Sequence, residues 1–279
     1  MTSKRVAIVT GSNKGIGLAI VRALCKKFDG AVYLTSRDET RGKDAVKILE
    51  GEGLHPNFHI LDVSNEQSIQ ALKDYLVSKY GGVDVFVHNA GMAYKAADPA
   101  GFPEQARVTI FNNFTSMVNL CNTFLPVMRA EGRFVTVSSF VARMTIKKCS
   151  KEVQDFFRSS DLTEEQLVQK MDEFVKLAQT EEHEKKGFPS SAYGMSKLGV
   201  TALTRIMGRK AQKLAQPNVL VNCACPGYVN TDMSSHKGHK TPDQGAESPV
   251  YLATLPAGLK EPQGEFWCED KLDKWYDGC

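Results

Sequence analysis

The chain begins with a buried strand, a glycine-rich turn and then a helix, an order that few folds produce. Residues 6–10 are a short β-branched apolar run, typical of a strand that is buried on both faces. The turn spacing G-x-x-x-G-x-G differs from the commoner G-x-G-x-x-G fingerprint. Glycine lets a ligand approach the backbone, and the start of a helix offers free N–H groups to a phosphate. The pattern predicts a dinucleotide site that uses Gly11, Asn13, Lys14, Gly15, Ile16 and Gly17.

The alternation of strand and helix continues along the chain. Further strands are predicted at residues 31–36, 58–63, 83–88, 133–139, 219–225 and 264–268, and the helices include residues 65–80 and 103–129. Strands that alternate with helices form a parallel sheet with right-handed crossovers, which binds ligands at the carboxyl ends of its strands. We therefore expect an α/β fold, a doubly wound parallel sheet of the Rossmann type, as one domain over residues 1–279.

The composition limits the partners and the cellular compartment that we expect for this fold. The net charge is only +3 and is scattered, so it gives no reason to expect a nucleic acid or a membrane as partner. No apolar run approaches the ~18 residues that a transmembrane helix needs. The seven cysteines are dispersed and odd in number, and His236-x-x-His239 is interpreted as a solvated loop without acidic or cysteine partners. We expect a cytoplasmic, reducing setting and no metal.

The end of the second strand indicates which nucleotide is bound. An NAD enzyme commonly places an acidic residue here, which binds the ribose 2′-hydroxyl. In this chain Arg37 and Arg41 follow the strand and Lys14 lies in the glycine turn, and three cations favour the 2′-phosphate of NADP(H). Arg41 as an ordinary surface charge is the alternative. Asp38 is a contrary observation, which we interpret as a residue at a helix N-terminus, where the dipole favours an acid.

Two further strand ends carry residues suited to a cofactor. Asp62 and Val63 end the third strand, where the carboxylate could reach the adenine. Asn89-Ala90-Gly91 ends the fourth, and small residues there let the cofactor lie close over the strand ends. Both positions fall on the edge of the sheet where ligands bind.

Tyr193 and Lys197 form the candidate catalytic pair. In a helix they lie at positions i and i+4, one turn apart on the same face. An ammonium group at that distance favours the phenolate and lowers the tyrosine pKa, which prepares the hydroxyl for general acid–base chemistry. The spacing alone is weak evidence, because Tyr75 and Lys79 repeat it at what we interpret as a solvated helix end.

Two polar pairs are candidates for the same site. Ser138 and Ser139 end the fifth strand, where a hydroxyl can donate to a substrate carbonyl, and strand alternation lets only one of them face the substrate. Asn112 and Asn113 lie among apolar residues of a predicted helix. Either one amide is exposed and the other caps a local backbone kink, or Asn113 holds a water beside the active lysine.

Taken together, these motifs resemble the short-chain dehydrogenase/reductase family. They are Thr10-Gly-x-x-x-Gly-x-Gly17, Asn89-Ala-Gly91, Ser139, Tyr193-x-x-x-Lys197 and Pro226-Gly227, and their order matches over essentially the whole chain. The serine and the tyrosine are separated by far more residues than is usual in that family. The extra segment, about residues 145–189, is similar to that of the monomeric animal NADPH-dependent carbonyl reductases.

The resemblance implies an activity and a set of roles. Tyr193 is expected to donate the proton as NADPH reduces a small-molecule carbonyl compound: a quinone, an aldehyde, a ketone or, more widely, a prostaglandin or steroid. Lys197 would also contact the nicotinamide ribose, and Asn113 would hold the water that relays protons to it. Ser139 would bind the carbonyl oxygen, with Ser138 as the fallback. The resemblance places Pro226, Gly227, Val229 and Thr231 around the nicotinamide, and Lys95, Ala96, Ala97 and Tyr228 around the substrate.

The extra segment has a physical interpretation as well. Residues 163–166 form a capping box, and an apolar stripe at helical spacing follows, which predicts an ordered helix packed on the body of the protein. Such a helix would cover the face by which many members of the family dimerise, so we expect a monomer. A mobile substrate lid is the alternative.

Some points stay open. His88 departs from the asparagine that the family usually has, and we expect it to pack beneath the cofactor without ligand chemistry. A dedicated biosynthetic ketone reductase and a catalytically quiet NADP(H)-sensing or interaction protein are the alternative functions.

Overall fold

The computed structural model describes residues 4–95, 97–268 and 271–273. In this part of the chain eight strands form one sheet in the order β3-β2-β1-β4-β5-β6-β7-β8, and every neighbouring pair is parallel except the antiparallel β7 and β8. The strands are β1 Val6–Val9, β2 Ala31–Ser36, β3 Asn57–Ile60, β4 Val83–His88, β5 Met128–Val137, β6 Leu220–Cys225, β7 Phe266–Cys268 and β8 Lys271–Leu272. The predicted doubly wound parallel sheet is confirmed.

Helices cover both faces of the sheet. They are α1 Gly15–Lys27, α2 Glu39–Gly51, α3 Glu66–Tyr80, α4 Phe102–Ile110, α5 Ser116–Phe124, α6 Val141–Lys148, α7 Lys151–Arg158, α8 Glu164–Gln179, α9 Ala192–Ala211 and α10 Pro242–Ala253. One apolar core lies under α3, α4, α5, α8 and α9, and a second lies under α1, α2 and α10. Strands β1, β2, β4 and β6 are buried at every position, as expected for strands with helices on both faces.

Side chains cap the N-termini of two helices at the positions that the sequence indicated. Asp38 caps α2 by accepting a hydrogen bond from the Arg41 amide, which confirms its interpretation as a helix N-terminal residue. Thr163 and Gln166 form the predicted capping box at α8.

The single helix predicted at residues 103–129 is wrong. Helix α4 ends at Ile110, a π-helical turn occupies Phe111–Thr115, and α5 then runs only to Phe124. Pro126 lacks a backbone N–H, and a short 3-10 turn, Leu125–Val127, leads directly into β5. Strand β5 therefore begins at Met128, earlier than predicted, since this residue pairs with Val83.

The inserted segment is helical throughout most of its length. The short helices α6 and α7 were not predicted, whereas α8 was. Helix α8 buries Leu167, Met171, Phe174 and Ala178. It packs on α9 so closely that a Cβ atom on Gly199 would lie 2.9 Å from Cε of Met171. The apolar stripe thus holds the insertion against the body of the protein.

Candidate active site

The start of α9 brings Tyr193 to the end of β5. Ser191 caps the helix by accepting from the Gly194 amide, which places Tyr193 in the first turn. The side chain of Ser139, the second residue after β5, lies near enough to the Tyr193 hydroxyl to influence its pKa. Tyr193 as a whole is half-buried. The structure therefore brings together two hydroxyls that can bind one carbonyl oxygen.

Ser138 has a different environment from Ser139. Its hydroxyl is 2.6 Å from Oγ1 of Thr201, and the residue is buried between β5 and α9. Strand alternation thus turns Ser138 into the core and leaves Ser139 at Tyr193.

Lys197 lies one helical turn beyond Tyr193 but does not point at the phenol. Its ammonium donates to the Val137 carbonyl at 2.8 Å and lies 5.8 Å from the centre of the Tyr193 ring. Burial lowers the pKa of Lys197 to about 8. Burial also raises the pKa of Tyr193 to about 12, against the opposite influence of the Ser139 side chain.

The expectation that Lys197 lowers the pKa of Tyr193 is thus wrong for this arrangement, because the ammonium is directed at a strand carbonyl. In the second Tyr-x-x-x-Lys pair, the lysine does contact the phenol. Nζ of Lys79 is 2.8 Å from the Tyr75 hydroxyl, and this hydrogen bond lowers the pKa of Tyr75. Tyr75 is nevertheless exposed on α3, among Tyr33, Tyr80 and His59 rather than at the carboxyl ends of the central strands. A lowered tyrosine pKa is therefore found at the pair that lies away from the glycine turn.

Asn113 lies in the π-helical turn, almost fully buried. Its side chain accepts from the Met92 amide at 2.8 Å and donates to the Met92 carbonyl at 2.9 Å and to Oγ of Ser196 at 3.0 Å. A Cβ atom on Gly91 would lie 3.3 Å from Oδ1 of Asn113 and 3.7 Å from Nζ of Lys197. Asn113 thus fastens the loop after β4 beside the lysine.

Asn112, in contrast, is half-buried and donates to the Val108 carbonyl one turn earlier. A side-chain donor there competes with the backbone at the point where the helix changes its hydrogen-bonding pattern.

The glycine turn is packed tightly against the end of β4. Gly11 and Gly15 have φ of 58° and 57°, the left-handed region that favours glycine. A Cβ atom on Gly17 would lie 2.5 Å from Nδ2 of Asn89, and one on Gly11 would lie 2.9 Å from Cα of Ala90. The Asn89 amide donates to the carbonyls of Thr10 and Gly11 at 3.1 and 3.0 Å.

The start of α1, at the end of the glycine turn, is suited to binding an anion. Lys14, the residue before the helix, supplies no side-chain cap, so the helix N–H groups face the loop. Asn13 and Ile16 are half-buried in the same turn. The loop after β6 lies over it, because a Cβ atom on Gly15 would come within 3.4 Å of Cγ2 of Thr231.

The cations predicted to select the nucleotide lie exposed at this edge, and one of them has a partner that sequence reasoning missed. Nζ of Lys14 is 2.5 Å from Oδ2 of Asp232, and Nε of Arg41 is 3.4 Å from Asp38. Asp232 also lies 3.0 Å from Nε2 of His236, so the prediction that this histidine has no acidic neighbour is wrong. Within the described residues, no three ligand side chains cluster around a potential metal.

The remaining cofactor candidates have distinct environments. Asp62 accepts from the amide and hydroxyl of Ser64, and Val63 is partly buried against the core. Pro226 and Gly227 form the turn after β6. Val229 is buried against α10, where a Cβ atom on Gly245 would lie 2.6 Å from its Cγ2.

A cavity of about 670 Å³ opens beside the turn after β6. Its lining includes Phe140, Arg143, Gly227, Tyr228, His239 and Cys268. Four further residues were predicted to contact the substrate: Tyr228, Lys95, Ala96 and Ala97. Tyr228 lines this cavity. Lys95 and Ala97 lie exposed on the loop after β4, and Ala96 lies outside the described residues.

Sequence reasoning missed the cavity residues Arg143 and Cys268. Arg143 lies 2.7 Å from Asp273, which brings the end of the described chain to the cavity. Cys225 accepts hydrogen bonds from the amides of Phe140 and Gly227 and so shapes the cavity wall. In the sequence, the one signal for this cavity wall was the position of Cys225 directly before Pro226-Gly227.

Comparisons with known proteins agree with this architecture. The sequence matches the short chain dehydrogenase family over residues 5–151 and 181–242, so the unmatched stretch between them falls in the insertion. Carbonyl reductase [NADPH] 1 of Rattus norvegicus is 50% identical over 277 residues, which cover 99% of this chain and 100% of that protein. Carbonyl reductase [NADPH] 1 of Homo sapiens is 50% identical, with 97% and 98% covered.

Solved structures give the same result. Salutaridine reductase from Papaver somniferum has a TM-score of 0.84 and 28% identity, with 95% of this chain and 100% of that chain covered. Menthone neomenthol reductase from Mentha piperita has a TM-score of 0.78 and 30% identity, with 96% and 99% covered. A family match over most of the sequence and relatives at 50% identity over its full length leave one assignment: the chain belongs to the short-chain dehydrogenase family.

Proposed function

We propose that the protein is an NADPH-dependent carbonyl reductase that converts quinones, aldehydes and ketones into alcohols. The observation that carries the proposal is the neighbouring hydroxyl pair of Ser139 and Tyr193, at the sheet edge that also holds the glycine turn. The animal relatives at 50% identity are carbonyl reductases [NADPH]. Prostaglandins and steroids are further candidates within the same carbonyl class.

The chain's own residues suit a proton donor. With a pKa of about 12, Tyr193 is protonated at neutral pH and can donate to the oxygen of a bound carbonyl. Ser139 donates a second hydrogen bond to that oxygen and stabilises the alkoxide as charge develops. NADPH, when bound, supplies the hydride.

Lys197 and Asn113 support this step. With a pKa of about 8, Lys197 carries its charge at neutral pH, and this charged group serves the nicotinamide ribose. Asn113 holds the loop beside Lys197 and the water that returns a proton to the lysine. The structural position of Asn113 supports this role, since a Cβ atom on Gly91 would contact both its side chain and the lysine.

The residues around the glycine turn fit NADPH. A phosphate can occupy the uncapped start of α1, where added Cβ atoms at Gly11 and Gly17 would collide with the loop after β4. Lys14, Arg37 and Arg41 are exposed at that edge and favour a 2′-phosphate over a free ribose hydroxyl.

We also propose that the enzyme is a monomer in a reducing, cytoplasmic compartment. Helix α8 packs on α4 and α9, the face used for dimers by many members of the family, and this covering supports a monomer. The six cysteines in the described part of the chain are thiols. None of the described helices has the length and apolarity needed to cross a membrane.

Turnover by the purified wild-type protein tests the function. NADPH oxidation is followed with menadione, an aromatic aldehyde and an aliphatic ketone, and the alcohol or hydroquinone product is identified. We expect turnover with at least the quinone and the aldehyde, and a preference for NADPH over NADH. Tight NADPH binding without turnover on the panel would contradict the proposal and favour a sensing or interaction protein.

A further inference from the structure

His88, the last residue of β4, is buried between the glycine turn and the π-helical turn. It is 2% exposed, and its Nδ1 lies 3.2 Å from Oγ1 of Thr10 at the end of β1. Its ring also interacts with the backbone of Asn113. One side chain therefore contacts both the segment proposed to bind the cofactor and the segment beside Lys197.

The hydrogen bonds of Thr10 determine which ring nitrogen of His88 carries the proton. Oγ1 of Thr10 accepts from the amides of Asn89 and Ala90, both at 3.0 Å. A hydroxyl has two acceptor sites and one proton, so the Thr10 proton is left to donate to Nδ1 of His88. Nδ1 is then an acceptor, and the neutral ring carries its proton on Nε2.

The other side of the ring is consistent with this tautomer. The contact with the Asn113 backbone favours a proton on the ring, as an N–H donor facing a carbonyl oxygen does. Burial first, and then the nearby Lys197 ammonium, lower the pKa of His88 to about 3, so the ring stays neutral at physiological pH. Lys197 is therefore not in competition with His88 for a proton.

We propose that His88 is a positioning residue: as the neutral Nε2–H tautomer held by Thr10, it holds the main-chain carbonyl of Asn113, whose side chain fastens the loop beside Lys197. The ring joins the end of β1 to the π-helical turn, so the segment that binds the cofactor and the segment that holds the lysine form one connected unit. This role goes beyond the expectation that His88 packs beneath the cofactor without ligand chemistry. The inference deepens the proposed function and rests on it for its kinetic readout alone.

The tautomer is tested directly by NMR, without any need for turnover. Long-range proton–nitrogen correlations of uniformly labelled wild-type protein report the protonation of each histidine ring, and loss of one ring signal in His88→Asn assigns His88 among the six histidines. We expect protonated Nε2, acceptor Nδ1 and no titration between pH 9 and pH 5. An Nδ1–H tautomer, or titration near the ordinary value of about 6.5, would overturn the proposal.

Two substitutions separate positioning from simple packing. The asparagine amide can replace Nδ1 and contact Thr10, whereas the longer glutamine can replace the Nε2 donor that faces Asn113. We expect His88→Asn to lower kcat about three- to tenfold, the effect of one lost hydrogen bond, and His88→Gln to restore most of it. Equal kcat losses in both variants, or none in either, would contradict the positioning role.

The NMR and kinetic experiments also distinguish a failure of this inference from a failure of the proposed function. If the wild-type protein reduces no carbonyl compound, the proposed function fails, while the NMR result still decides the tautomer. If the protein turns over but the tautomer is wrong, only the inference fails. Thermal unfolding of both variants accompanies the kinetics, so that a folding defect is not taken for a loss of kcat.

Discussion

Replacing Lys197 with methionine is expected to abolish turnover and, at the same time, to relieve a pH-dependent cost to stability. The lysine is 6% exposed, and burial lowers its pKa from an ordinary value of 10.5 to about 8. Its charged form is thus less favourable in the folded protein than in the unfolded chain. Methionine has a similar length and no charge, so it keeps most of the packing.

The size of the effect follows from linkage. The difference between 10.5 and about 8 corresponds to roughly 3 kcal/mol, since one pKa unit is about 1.4 kcal/mol. Between these two values the unfolded chain binds more protons than the folded protein, so the stability of the wild type rises with pH through this window and falls as pH decreases toward 8. Lys197→Met lacks this dependence.

Urea unfolding at pH 7 and at pH 10.5 measures this difference. We expect the free energy of unfolding of the wild type, relative to Lys197→Met, to rise by roughly 3 kcal/mol between the two pH values. The lost hydrogen bond to Val137 affects both measurements and largely cancels. Lys79→Met is the matched control, because the pKa of Lys79 is raised rather than lowered, chiefly by its hydrogen bond with Tyr75. A relative stability that is independent of pH, or that falls with pH, would refute the reasoning.

Three further substitutions test other parts of the account. Ser139→Ala is expected to lower kcat about 10²- to 10³-fold because it removes a donor to the developing alkoxide, while Ser138→Ala, whose hydroxyl bonds within the core, leaves kcat nearly unchanged; comparable losses would contradict the assignment. Gly17→Ala is expected to raise the KM for NADPH and to destabilise the protein by about 1–3 kcal/mol, because its Cβ would lie 2.5 Å from an amide nitrogen. As the control, Gly51→Ala meets nothing within 4 Å and leaves the KM unchanged. An unaffected Gly17→Ala would contradict the close packing of the turn. Asp232→Asn is expected to lower the KM for NADPH about two- to threefold at low salt, because it releases the glycine-turn lysine for a phosphate without disturbing the core, and a higher KM at unchanged stability would argue against this role.

The elements that could be predicted from the sequence are those whose signal is local. The glycine turn, the helix-capping residues Asp38 and Thr163, and the apolar stripe of α8 depend on neighbouring residues and on a period that the sequence displays. The strand-end motifs could be placed at one edge of the sheet because parallel topology brings carboxyl ends together.

The elements that could not be predicted depend on partners far away in the chain. Asn113 makes its side-chain contacts with Met92 and Ser196, and neither contact is visible from the apolar period of the helix. The direction of Lys197 is set by the Val137 carbonyl on a neighbouring strand, which is why helical spacing alone gave the wrong influence on Tyr193. The role of His88 likewise depends on Thr10, 78 positions earlier.

In the proposed reaction Tyr193, and not the other tyrosine with a lysine one turn away, donates the proton. The most direct test of this assignment compares Tyr193→Phe with Tyr75→Phe in NADPH oxidation with menadione and an aromatic aldehyde, alongside NADPH binding. We expect Tyr193→Phe to bind NADPH and lose at least about 10²-fold in kcat, while Tyr75→Phe keeps wild-type turnover. Wild-type turnover in Tyr193→Phe, or a matching loss in Tyr75→Phe, would contradict the account.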